Sequence, residues 1–183
     1  MAKFYDNLTP EVIRFIEKQH LFFVATAPLA SDGHVNLSPK GLDTLRILAP
    51  DHVAYLDLTG SGNETAAHLH ENGRITIMFC SFGPSPSILR LYGRGEAVLP
   101  GSDAWQELVP RFELLPGTRQ ILSVRLHMVQ DSCGWAVPRM DFREDRATLV
   151  RHAEAKGEDD LHTYRLEKNT NSLDGLPVPV RDA

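Results

Sequence analysis

The chain has 183 residues, 42% hydrophobic and 23% charged, which is enough for one self-sufficient core and too apolar for a disordered chain. A formal net charge of −5 without any basic tract speaks against nucleic acid or an anionic membrane as a partner. Cys80 and Cys133 make no disulfide framework, and Met1-Ala2-Lys3-Phe4-Tyr5-Asp6 has no apolar signal core, so the expected address is the cytoplasm.

Thr9-Pro10-Glu11 reads as a helix start: Thr9 caps, Pro10 suits the first turn and Glu11 complements the dipole. Val12, Ile13 and Ile16 share one face, predicting a helix over 10–18. A β-rich run follows at 21–26, then the turn pair Asp32-Gly33 and an alternating strand at 34–38. Pro39 has no N–H for a ladder and is expected to break that strand. Further strands are predicted at 44–48 and 52–58, and a helix at 64–72 that Gly73 ends. Strands follow at 74–80 and 88–98, the second with Gly93 and Gly95 marking a bulge or close approach. A short helix at 104–109, a strand at 120–130, a charged helical stretch from 146 and an extended end after Gly175 complete the pass. Strands and helices do not alternate regularly, which points to an antiparallel α+β barrel rather than a doubly wound sheet.

Two turns carry the chemistry. Thr59-Gly60-Ser61-Gly62-Asn63-Glu64-Thr65 joins a strand to a helix; its glycines let N–H groups converge on one anion, and the helix start adds more. Leu58 leads into it, and Thr59, Ser61, Asn63 and Thr65 add side-chain donors. An ordinary capped helix start would look the same locally. A P-loop is excluded because no Gly-Lys-Ser/Thr follows, and a dinucleotide fingerprint because Thr65 stands where its third glycine belongs. The second turn is Asn36-Leu37-Ser38-Pro39-Lys40-Gly41, where Ser38 and Lys40 can serve a phosphate and Arg46 can reach the same pocket. Alone, Lys40 could equally be solvated; the pairing of the two turns is what points to a phosphate-bearing ligand.

Other candidates are weaker. His68 and His70, two apart on a helix, point to different sides and make no metal pair. Cys80 suits a core position, and Arg90 and Arg94 suit either an interface or solvent.

From the first helix to about residue 137 the chain resembles the pyridoxamine 5'-phosphate oxidase-like FMN-binding split-barrel family. The resemblance is carried by residues 22–27, 36–41, 55–65, 72–79 and 90–97, the last with Tyr92-Gly93-Arg94-Gly95. It implies a six-stranded antiparallel split β-barrel with Greek-key connections at 1–137, flanked by short helices. A helical tail at 138–183 would pack on the barrel or on a partner. It also implies a homodimer with FMN at the interface and a small-molecule substrate. The activity implied is an FMN-dependent oxidoreductase passing hydride between the flavin and a small organic substrate or NAD(P)H. Two alternatives stay open: a flavin-binding or sensing protein without substantial turnover, and a barrel that takes the deazaflavin F420 or haem.

Residue by residue, Thr59 matches a position that contacts the flavin or its ribityl chain. Asn63 falls where the true oxidases carry a phosphate-binding serine, and Glu64 and Thr65 where they carry Arg and Lys. The expected positive charge therefore moves to Lys40, with Arg46 in support, or neutral donors hold the phosphate; Glu64 then faces ribityl hydroxyls or pairs with Lys40. Cys133 and Trp135 occupy a region that approaches the partner's flavin in the resembling fold; a packed turn with an inert thiol is the alternative. The residues that grip pyridoxal phosphate in true oxidases have no match, so oxidation of pyridoxamine phosphate is not expected.

Overall fold

The computed structural model describes residues 2–179. In chain order the elements are β1 (Lys3–Tyr5), α1 (Pro10–Ile16), β2 (Phe22–Thr26), β3 (Asn36–Lys40), β4 (Leu45–Ala49), β5 (His52–Leu58), α2 (Glu64–Asn72), β6 (Arg74–Cys80), β7 (Ile88–Val98), α3 (Asp103–Leu108), β8 (Thr118–Ser132) and α4 (Thr148–Lys168). The strands form one antiparallel sheet in the order β3-β2-β6-β7-β8-β5-β4, with β1 also on β8. The two end strands, β3 and β4, do not pair, so the sheet curls without closing: a split barrel.

All seven strands read from periodicity are present, and the eighth is β1. Three residues are too few to show a period. Strand β8 is long enough to give β1 an edge: β5 pairs with its first half, through Arg125, and Lys3–Tyr5 pairs with Val129 to Asp131 further on. Pro39 does not break its strand. It sits opposite Phe23 inside β3, and an edge strand tolerates a residue that cannot donate outward. The register shift between Tyr92 and Gly93 is the bulge that the glycines of β7 announce. A Cβ on Gly93 would come within 2.6 Å of the Arg125 carbonyl oxygen.

The barrel interior is filled by Val24, Val53, Tyr55, Ile77, Phe79, Leu89, Leu91, Leu122 and Val124. Helix α1 closes one end. Thr9 accepts from the Val12 N–H (3.3 Å), and Val12 and Ile16 turn inward beside Leu8. Helix α2 ends on Gly73 in the left-handed region (φ 70), as its sequence position requires. Helix α4 is broken at Gly157 (φ 73) and buries Ala153 and Leu161, while Leu149 and Leu166 stay exposed. No helix among the described residues is long and apolar enough to cross a membrane.

Candidate functional site

The split creates the site. Strand β3 leads through residues 41–44 to β4 at the opposite sheet edge, and this crossing leaves a cleft of about 740 Å³ between β3, the end of β5 and the start of α2. Asn36, Ser38 and Lys40 line it from β3, Ser61, Asn63, Glu64 and Thr65 from the glycine-rich turn, and Arg119 from β8. The two turns singled out from sequence thus face one cavity. Leu21, Leu42, Leu56, Leu58 and Leu149 supply apolar wall.

At its base lies an ion cluster around Asp57, a carboxylate only 1% exposed. Lys40 Nζ donates to it from one side (2.9 Å), Arg119 Nε from the other (2.8 Å), and Gln120 Nε2 adds a third bond (2.7 Å). Burial alone would raise the Asp57 pKa; Arg119 and Lys40, with the hydrogen bonds of Lys40 and Gln120, outweigh it and hold the carboxyl well below its usual range. Two cations thus meet one buried anion beside the cleft.

Asn63 stands at the N-cap of α2 but does not cap it. Its Oδ1 instead accepts from Gln120 Nε2 (2.9 Å), so among the described residues no side chain takes up the first-turn N–H groups of α2. Next to it, Asn36 Nδ2 donates to Thr65 Oγ1 (3.0 Å) and Thr26 Oγ1 (3.2 Å), which fixes the orientation of the amide. His68 Nδ1 lies 2.9 Å behind, against Thr26 Oγ1; burial lowers the His68 pKa and keeps the ring neutral. His70, two residues on, is exposed.

Ser38, Lys40, Leu58, Ser61, Asn63, Glu64 and Thr65 therefore come together, and four other predicted residues do not. Arg46 is outside: it donates to Asp43 (2.7 and 3.0 Å) and the Arg111 carbonyl (3.0 Å), over the Phe112 ring. It does not line the cleft, and the second cation there is Arg119. Thr59 is buried and engaged, donating to the Gly117 carbonyl (2.8 Å) and accepting from Arg165 Nε (2.8 Å). Cys133 is exposed and Trp135 is 85% exposed; neither lines this cleft. Glu64 does not pair with Lys40, which Asp57 holds; it accepts instead from the Leu173 N–H (3.0 Å).

Sequence reasoning missed Asp57, Arg119, Arg165 and Asn169. Asp57 had a signal: it is the one charged side chain in the apolar stretch of β5 after His52. The other three had none, because they reach the turn from 57 to 109 residues away.

The antiparallel sheet that stops short of closure, with its cleft at the split, defines a split-barrel protein. A family model described as pyridoxamine 5'-phosphate oxidase matches residues 8–133. The pyridoxamine 5'-phosphate oxidase family protein ustO of Aspergillus flavus is 39% identical, over 97% of this chain and 78% of its own. The chain belongs to the pyridoxamine 5'-phosphate oxidase family. Among solved structures, a candidate pyridoxamine 5'-phosphate oxidase from Lactobacillus delbrueckii is similar in fold (TM-score 0.55, 19% identity, 68% of this chain and 94% of that one). So is a variant of HupZ from Group A Streptococcus (TM-score 0.53, 21% identity, 68% and 99%).

Proposed function

We propose that the chain holds FMN in this cleft as a homodimer and acts as an oxidoreductase, passing hydride between the flavin and a small organic substrate or NAD(P)H. The observation that carries the reading is the convergence of Lys40 and Arg119 on Asp57 beside the uncapped start of α2. Around Asp57 the two cations leave one surplus positive charge beside the free helix N–H groups, and that donor set suits a phosphate; Glu64, Glu144, Asp145 and Arg146 also line the cleft. The five leucines suit an aromatic ring system, and the volume falls in the range of about 300–1,000 Å³ common for cofactor sites. Membership of the family supports a flavin over other phosphates.

In this reading Lys40, Arg119, Ser61 and the α2 N-terminus hold the phosphate, and Asn36, Ser38 and Thr65 offer hydrogen bonds to the rest of the ligand. The fixed Asn36 amide spends both its N–H groups on Thr26 and Thr65, which leaves Oδ1 as an acceptor. The leucines exclude water. The bound flavin supplies the redox chemistry, and the protein supplies position and electrostatics. Val35 and Leu37, two residues apart and exposed at the unpaired β3 edge, are where a second copy would add.

The test is an absorption spectrum of the purified protein, followed by titration of the apoprotein with FMN, F420 and haem. Flavin absorption at about 450 nm and tightest binding of FMN are expected. A colourless protein that stays so with added FMN refutes the reading. Flavin binding without reduction by NAD(P)H or any substrate turns it into the sensing protein. Sedimentation at the mass of one chain refutes the dimer.

A further inference from the structure

The family match ends at residue 133, yet the chain beyond it is fastened to the cleft. Arg165 Nε donates to Thr59 Oγ1 (2.8 Å). Asn169, only 1% exposed at the end of α4, accepts on Oδ1 from Arg119 Nη1 (2.8 Å) and donates from Nδ2 to the Gly60 carbonyl (3.1 Å). The Leu173 N–H reaches Glu64, and Val178 packs on Ala66 and Ala67 of α2.

We propose that Asn169 and Arg165 are positioning residues for the phosphate end of the cleft, setting Arg119 and the 59–63 turn in the arrangement that receives the ligand. This rests on the flavin reading. An amide is suited to the Asn169 position because it accepts from a cation and donates to a carbonyl at once. Arg119 spends Nε on Asp57 and Nη1 on Gly62 O and Asn169, which fixes the guanidinium and keeps Nη2 free of protein partners among the described residues. The turn is set by the same bonds. Gly60 O is drawn to Asn169 and Gly62 O to Arg119. In a trans peptide the N–H of the next residue points the opposite way. No peptide among the described residues is cis, so the Ser61 and Asn63 N–H groups are turned away from Asn169 and Arg119. Both residues line the cleft. The arm pulls on carbonyls and thereby aims donors.

The experiment titrates full-length apoprotein, wild type, Asn169→Ala and Arg165→Gln, with FMN and with riboflavin, which lacks only the phosphate. Asn169→Ala is expected to weaken FMN about tenfold and riboflavin less than about twofold. The backbone amide resonances of Ser61 and Asn63 should shift and broaden in the ligand-free variant, as the turn loses its fixed orientation. An arm that merely stabilises the barrel would lower the melting temperature and leave the FMN-to-riboflavin ratio unchanged; that result overturns the proposal. If Asn169→Ala does not fold, Arg165→Gln carries the same test, with an expected loss of about threefold for FMN alone. If the wild type binds neither flavin, the flavin reading fails. The arm is then judged by the backbone amide resonances of Ser61 and Asn63 in the apoprotein: shifts and broadening in the variants support its positioning role, and unchanged resonances overturn it.

Discussion

Asp57→Asn keeps the shape of the side chain and removes the charge that Lys40 and Arg119 share. Removing one partner of a buried ion pair costs about 3–5 kcal/mol, because the remaining charge is stranded. The structure places this case at the lower end. The Lys40 side chain is 22% exposed and can turn toward water, whereas Arg119, at 8%, cannot but keeps its bonds to Gly62 O and Asn169. A loss of about 3 kcal/mol follows. For a chain of this size that lowers Tm by about 6–12 °C. The acid limb provides a second readout. Because the native Asp57 pKa is depressed, its contribution is present above the unfolded value of about 4 and is lost as pH falls below it. Wild type should therefore lose stability in acid more steeply than Asp57→Asn. Urea unfolding at a series of pH values measures both effects. The double variant with Lys40→Met should recover part of the loss, since one stranded cation is gone. A loss below about 1 kcal/mol with an unchanged acid profile would refute the argument that a buried carboxylate organises the two cations.

The remaining expectations concern the cleft, the arm and its clasp. Lys40→Met should raise the Kd for FMN about tenfold while Arg46→Met changes it less than about twofold; the reverse order in a fluorescence titration would restore Arg46 as the phosphate ligand. Gly117→Ala puts a Cβ 2.9 Å from Ala153 Cβ at φ +82, and should cost about 1–3 kcal/mol in urea unfolding; a cost under about 0.5 kcal/mol would show that α4 yields freely. His34 Nδ1 pairs with Asp174 (2.6 Å), and that hydrogen bond raises the His34 pKa. The charge-assisted part of this clasp is thus fully present below about pH 6.5 and lost as pH rises through the raised value, while the His34 backbone N–H keeps its bond to Asp174 (2.7 Å). Limited proteolysis of the arm should be faster at about pH 8 than at about pH 6 relative to His34→Gln, in which the difference disappears.

Much of the fold is legible because its strands are local events. Residues 52–58 and 74–80 declare themselves by β-branched and apolar content, and Thr9, Gly73 and Gly93 mark a cap, a stop and a bulge by backbone rules that need no neighbour. Pro39 misleads for the complementary reason. Whether a missing N–H matters depends on whether a strand lies alongside, and only the sheet order makes β3 an edge.

The site divides in the same way. The chain by itself determined that two polar turns flank the β4–β5 hairpin and that the helix start after the second can receive an anion, since turn residues and helix N-termini act within a few positions of themselves. Tertiary structure alone decided which cations serve them. A guanidinium's usefulness depends on which face of the barrel it occupies and on what neutralises it. Arg46, close in sequence, faces Asp43 and Phe112, while Arg119, more than fifty residues past the turn, arrives beside Asp57 because β8 pairs with β5. The arm's hold on Gly60 and Arg119 is of the same kind, a set of long-range hydrogen bonds that no local pattern encodes.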